Sequence, residues 1–282
     1  MFSNILANKK IYCYITDNLK SSLSSIGFSK KLIHNLIINF NTLDAYKFGK
    51  EHSKELHKIH SVGFFQKLVP QYFSKNIIPE IQASNKILDL GCGTGILAKI
   101  LAEKKDFKHI IGVDLRQYPE WKKFKNSKIT FKIVPEKKIF NFLLKEKPDT
   151  VILTWVLHHM KPKEQERYLE YLYKILLPGA RLIILEDSYS TILKPENGAN
   201  IYRSFMKFGP KDRQNIMGIF DWVANKILAQ RHKATIPFTY RTLEEWKKVL
   251  IKKGFIVVKE KFIGFPANRD INTPQSLIVA TK

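Results

Sequence analysis

Cysteine, acids, arginine and long apolar runs are all scarce in this chain. Among its 282 residues only Cys13 and Cys92 are cysteines, which excludes a disulfide framework and leaves no zinc-ligand spacing. A reducing, cytoplasmic setting is the expectation. No apolar stretch approaches the ~20 residues that span a bilayer, so no transmembrane segment is expected. Met1 to Asn8, followed by Lys9-Lys10, shows no charged stretch ahead of an apolar one, which argues against a secretory signal. Acids number 25 against 48 bases, for a net charge of +23, yet only 8 of those bases are arginine. Recognition of phosphates and base edges favours the bidentate arginine fork over the solvated lysine point charge. The excess therefore reads as a lysine-rich surface, in keeping with the abundance of Ile and Asn that an AT-rich coding sequence produces. The alternative is an acidic partner such as RNA or an anionic membrane face. The densest basic region, Lys104 to Lys138, falls on the connections around the second and third strands, with Tyr118 and Trp121 among its few aromatics, so a nucleic-acid partner is possible but not favoured.

What the chain does have is a glycine loop in a strand–turn–helix setting. Lys86-Ile87-Leu88-Asp89-Leu90 is a short apolar run carrying one acid, followed by Gly91-Cys92-Gly93-Thr94-Gly95 and then by the periodic Ile96, Leu97, Ile100 and Leu101. That order predicts a buried strand, a tight turn and a helix. Glycine allows positive φ and close approach of backbone, and amides at a helix start can face a polar ligand. The spacing is G-x-G-x-G. A dinucleotide fingerprint would place Gly or Ala where Ile96 stands, so the loop argues against NAD and FAD. A second strand, His109 to Leu115, carries Asp114 at its tip, where a carboxylate can accept both hydroxyls of a ribose.

Further landmarks follow in order. Ile129–Val134 predicts a third strand and Val151–Trp155 a fourth. Glu164–Leu177 predicts a helix stopped by Pro178-Gly179, and Arg181–Leu185 a fifth strand. Alternation of strand and helix implies a parallel sheet covered on both faces. Thr242-Leu243-Glu244-Glu245 is a capping box opening a helix that stops at Gly254. Before the sheet, Leu32, Ile33, Leu36, Ile37 and Phe40 predict a short helix, and Tyr46–His60 a polar one carrying His52, His57 and His60. No acid or cysteine completes a ligand set there, so surface histidines are expected and no metal site. Residues 188–240, with Asn197-Gly198 as a turn and an amphipathic helix over Asp212–Gln230, stand outside a minimal sheet core.

Ile87–Gly95, Gly112–Leu115, Asp149–Leu153 with Leu157–Met160, and Leu176–Leu182 together resemble the class I S-adenosylmethionine-dependent methyltransferases, strongly over residues 84–187. The resemblance implies an α/β fold with a seven-stranded, mostly parallel Rossmann-like sheet, Phe255–Phe262 and Ser276–Thr281 being its last two strands. It divides the chain into an N-terminal helical extension (1–84), a cofactor-binding core (85–187), a helical lid inserted after strand five (188–240) and a C-terminal completion of the core (241–282). S-adenosylmethionine is the cofactor it implies, with Asp89, Gly91, Cys92, Gly93, Gly95, Asp114, Leu115, Glu136 and Thr154 around it. Glu136 stands where most relatives carry an Asp for the adenine amino group. His158 and His159 follow the fourth strand, where an imidazole could accept a proton from an attacking hydroxyl or amine or could only shape the site. Trp155, Asp187, Tyr189, Asp221 and Asn225 are expected to line the acceptor. A small, partly apolar acceptor is the leading expectation, from an aromatic lid holding Tyr202, Phe205, Phe208, Phe220 and Trp222. A protein or RNA methyltransferase, and a silent cofactor-binding protein, are the alternatives. A monomer or homodimer is expected.

Overall fold

The computed structural model describes residues 2–38, 44–82, 84–103, 107–266 and 269–282. Phe40 and Lys104 of the expected helix and basic region lie outside them. Seven strands form one mixed, mostly parallel sheet: β1 (Ser84–Leu90), β2 (Phe107–Asp114), β3 (Ile129–Ile133), β4 (Thr150–Thr154), β5 (Arg181–Asp187), β6 (Ile256–Gly264) and β7 (Gln275–Thr281). Their spatial order is β3-β2-β1-β4-β5-β7-β6. β1 pairs in parallel with both β2 and β4, with Asp89 opposite Gly112 on one side and Ile152 on the other. Chain order thus reverses across β1, and ligands of open α/β sheets bind beyond the strand ends at such a switch point.

The central strands are apolar because both faces are covered. Ile87, Leu88, Val151, Ile152, Leu153, Leu182 and Ile183 are all fully buried. The helix expected from Glu164 begins earlier, at Pro162, and ends at Ile175. Proline at the first helical position loses no hydrogen bond, and Glu164 folds back to accept the Lys161 amide at 2.8 Å. The capping box forms as expected, Thr242 Oγ1 accepting the Glu245 amide at 3.2 Å and Glu245 accepting that of Thr242 at 2.8 Å. Gly254 closes that helix at φ +98°.

The chain divides into two compact units. The sheet unit comprises residues 69–193, 241–262 and 276–282; the helical unit comprises 1–68, 194–240 and 263–275. In the helical unit, Lys9–Ser25 is a helix capped by Asn8, whose side chain accepts the amides of Lys10 and Ile11. It buries Ile11, Ile15, Leu19 and Leu23, one stripe at four-residue spacing. Tyr14 from that helix meets Phe208 edge to face at 5.2 Å. The expected helix over 212–230 is a regular helix from Pro210 to Trp222 that widens into a π-helical stretch, Val223–Leu228.

His60 differs from the surface residue the sequence suggested. It lies in a π-helical stretch, His57–Leu68, 1% exposed, with Nε2 3.0 Å from Asp270 Oδ2. Burial opposes the charge on Asp270, but the His60 hydrogen bond, the Arg269 charge and the Ile271 amide together hold its carboxyl below the usual range.

Candidate functional site at the ends of β1, β2, β4 and β5

The loop after β1 is tied down before any ligand is considered. The amides of Gly91 and Cys92 both donate to Val113 O, at 2.8 and 3.0 Å. Gly91, Gly93 and Gly95 all have positive φ. A Cβ on Gly91 would lie 2.5 Å from Val156 Cγ2, and one on Gly95 would lie 2.6 Å from the Phe131 ring. The glycines are therefore required both by conformation and by close packing of the loop against its neighbours.

Asp114 closes the loop from β2. Its Oδ2 accepts the Gly93 amide at 2.9 Å, and its Oδ1 accepts those of Leu115 and Arg116 at 2.8 and 3.4 Å. A carboxylate offers about four lone-pair sites, so capacity for hydroxyl donors remains. Trp121 is not among the residues expected at this loop, yet its Nε1 donates to Gly93 O at 2.8 Å while its ring lies face to face with Phe131 at 4.8 Å. A lone tryptophan on the connection after β2 was the only available signal.

Asp89 is the unusual group. Its side chain is 1% exposed, and neither carboxyl oxygen has a hydrogen-bond partner among the described residues. Burial, reinforced by the charge of Asp114, pushes its carboxyl up to about 7. The same burial, with both aspartates nearby, pushes the Cys92 thiol well above its ordinary value, so Cys92 is no thiolate nucleophile.

Beyond β4, Trp155 sits at φ +55°, a conformation that costs a bulky residue about 1–3 kcal/mol and clusters at functional sites. Its amide donates to Leu185 O at 2.8 Å, and its ring stacks on Tyr72 at 6.0 Å and packs on Phe73 at 5.3 Å. Thr154 before it is buried. Leu157–His159 then makes one turn of 3₁₀ helix, whose leading amides need acceptors. Glu186, from the end of β5, supplies them. Its Oε1 accepts the amides of Val156 and Leu157 at 2.9 and 2.6 Å, and its Oε2 lies 3.4 Å from the His158 amide and 2.5 Å from His158 Nδ1. Glu186 was absent from the expected site residues, since its donors are backbone groups some thirty positions away.

The residues expected from sequence are carried by several elements. Asp89, the loop glycines, Cys92, Asp114 and Leu115 cluster at β1 and β2. Thr154 ends β4, and Trp155, His158 and His159 follow it, joined to the loop where Val156 meets Gly91. Asp187 and Tyr189 are buried at the end of β5, where Tyr189 O accepts the Leu243 amide at 2.8 Å. Glu136 is exposed on a short turn after β3. Asp221 and Asn225 lie in the helical unit and are bonded to one another, Asn225 Nδ2 donating to Asp221 Oδ1 at 2.5 Å and Tyr240 OH to Asp221 Oδ2 at 2.8 Å.

Asp89 also tests the cofactor that the sequence implies. A buried, unpartnered carboxylate beside a glycine cradle suits a ligand that brings positive charge, and Asp114 suits one that brings hydroxyl donors. S-adenosylmethionine brings both, and the residues present fit it.

Comparison with known proteins agrees. A family model described as a methyltransferase domain matches residues 63–260, more than half of the chain. Among solved structures, the chain is similar to N,N-8-amino-8-demethyl-D-riboflavin dimethyltransferase (RosA) from Streptomyces davawensis, with 16% identity, TM-score 0.55 and coverage of 98% of this chain and 71% of that one. It is also similar to a SAM-dependent methyltransferase from Archaeoglobus fulgidus, with 17% identity, TM-score 0.51 and coverage of 82% and 100%. At such identities these structures speak for the fold. No sequence among the curated proteins matches the chain. With the family model spanning the glycine loop, Asp114 and the His158 turn, the chain belongs to the methyltransferase-domain family and is an S-adenosylmethionine-dependent methyltransferase.

Proposed function

We propose that the acceptor is a small, partly apolar organic molecule bearing an ionisable O–H or N–H, with segment 188–240 as the lid over it. The observation that carries this reading is the pairing of His158 with Glu186. Glu186 already accepts backbone amides, so the ring contact is read as Nδ1–H donating to the carboxylate. The basic nitrogen of the ring is then Nε2. That nitrogen takes the proton from the acceptor, and Glu186 stabilises the imidazolium that forms. A positioned base contributes about 10²–10⁴-fold to such a step.

S-adenosylmethionine supplies the electrophilic methyl group when bound. The roles left to the chain are holding, orienting and keeping the reaction dry. The loop from Gly91 to Gly95 and Asp114 hold the cofactor, Asp89 faces its positive charge, and Leu115, Glu136 and Thr154 border it. Trp155, Asp187, Tyr189, Asp221 and Asn225 belong to the acceptor side, with His159 packed against His158 at 4.2 Å between ring centres. The apolar, aromatic character of the flanking side chains supports an organic acceptor over a polymer.

Calorimetric titration with S-adenosylmethionine and S-adenosylhomocysteine, with NADH as control, tests the cofactor half. Release of S-adenosylhomocysteine on panels of phenols, amines and N-heterocycles tests the acceptor half. Turnover on a small-molecule panel with none on RNA or basic peptides is the expected result. Turnover on RNA or protein alone would replace this reading with the second one, which the net charge of +23 favours.

A further inference from the structure

The turn that carries His158 is held at both ends by side chains. Glu186 takes its amides. Its carbonyls are taken by Gln165, which is fully buried in helix Pro162–Ile175 and donates through Nε2 to Leu157 O and Met160 O, each at 3.0 Å. An amide side chain can sit either way round, and only one orientation turns its NH₂ toward carbonyls. Arg241 selects that orientation. Its Nε donates to Gln165 Oε1 at 2.7 Å, its Nη2 pairs with Glu166 at 3.0 Å, and its guanidinium lies over the Trp246 ring at 5.6 Å. We infer that Gln165 and Arg241 are positioning residues for His158. Arg241 orients the Gln165 amide, the amide fixes the carbonyl end of the turn, and Glu186 fixes the amide end.

Volume alone does not account for this arrangement. A leucine at 165 would fill the same space with no polar group to satisfy, so what glutamine adds is direction. One turn of 3₁₀ helix has no neighbouring turns to hold it, and its place is set by these side-chain bonds. The inference rests on the assignment of His158 as proton acceptor, and its readouts need no acceptor molecule.

Two signals report on the turn: the protonated nitrogen of the His158 ring, from long-range proton–nitrogen correlation, and hydrogen exchange of the Val156, Leu157 and His158 amides. They are compared in the native protein, Gln165→Leu and Arg241→Lys, with the S-adenosylmethionine dissociation constant measured alongside. The native ring is expected to carry its proton on Nδ1. Gln165→Leu is expected to keep cofactor affinity, to speed exchange at the three amides by about tenfold or more, and to give a mixture of ring tautomers. Arg241→Lys, which keeps the charge and loses the Nε donor, is expected to do the same to a smaller extent. Unchanged exchange and an unchanged ring in the folded variants would overturn the inference. Arg241→Lys decides by the same readouts if Gln165→Leu does not fold. A native ring protonated on Nε2 would instead sink the base assignment and this inference with it.

Discussion

Asp89 in β1 and Glu186 in β5 are both carboxylates with 1% of their surface exposed, yet only one of them has partners. Glu186 accepts from three backbone amides and a ring nitrogen, whereas both oxygens of Asp89 lack a hydrogen-bond partner among the described residues. A saturated buried carboxylate is architecture, because removing it strands its donors. An unsaturated one is a cost carried by the protein until a ligand answers it. In the proposed site, the two strand ends would then mark which part is built in advance and which part waits for its ligand.

The largest effect is expected where that contrast is broken on the saturated side. Glu186→Ala leaves the amides of the His158 turn without acceptors, and a loss of about 3 kcal/mol of stability follows from stranded buried donors. Chemical denaturation measures it. Activity on any acceptor should fall further than stability does, because the ring that Glu186 orients is lost as well.

Next in size are the two aspartates proposed to hold the cofactor. Asp114→Ala should weaken S-adenosylmethionine binding by more than about tenfold, the loss of charge-assisted hydrogen bonds, and should also loosen Gly93, whose amide it accepts. Asp89→Asn should weaken binding and yet raise the melting temperature of the cofactor-free protein at pH 8. The gain is at most a few kcal/mol, about 1.4 kcal/mol for each unit by which burial raises the native pKa, since at pH 8 the native state carries a charge it disfavours. Opposite signs for affinity and stability are the mark of a group kept for its ligand. A fall in both would mean that Asp89 is structural after all.

How far the sequence reveals this depends on the distance between partners. The glycine loop, Asp89 and Asp114 are legible because each sits at a fixed place in a local pattern, an apolar run followed by a turn or a strand tip. The strands of the core and the capping box at Thr242 are legible for the same reason. In the sequence Glu186 is one acid of a pair at a strand end, and nothing local distinguishes it from Asp187. Its meaning comes from amides that the sheet brings beside it. The same holds for Trp121 with Gly93, for Gln165 with Arg241, and for His60, whose partner Asp270 lies 210 positions away. The π-helical stretches at His57–Leu68 and Val223–Leu228 depart from the 3.6-residue period against which a helix is recognised.

The smallest effect is a slope, and it sharpens the comparison most. Asp89 titrates near 7 in the folded chain and near its ordinary value of about 4 when unfolded. Between those limits the folded protein holds a proton that the unfolded chain has released. Stability of the cofactor-free protein therefore falls as pH rises through that window, and levels off above it. Cofactor affinity should run the other way. A positively charged ligand binds the ionised carboxylate, so affinity strengthens as pH rises toward about 7 and weakens by up to about tenfold for each unit below. Asp89→Asn should flatten both curves while leaving the rest of the titration in place. If the native curves are already flat, the carboxylate has found a partner in solution, and the difference between the two strand ends would disappear.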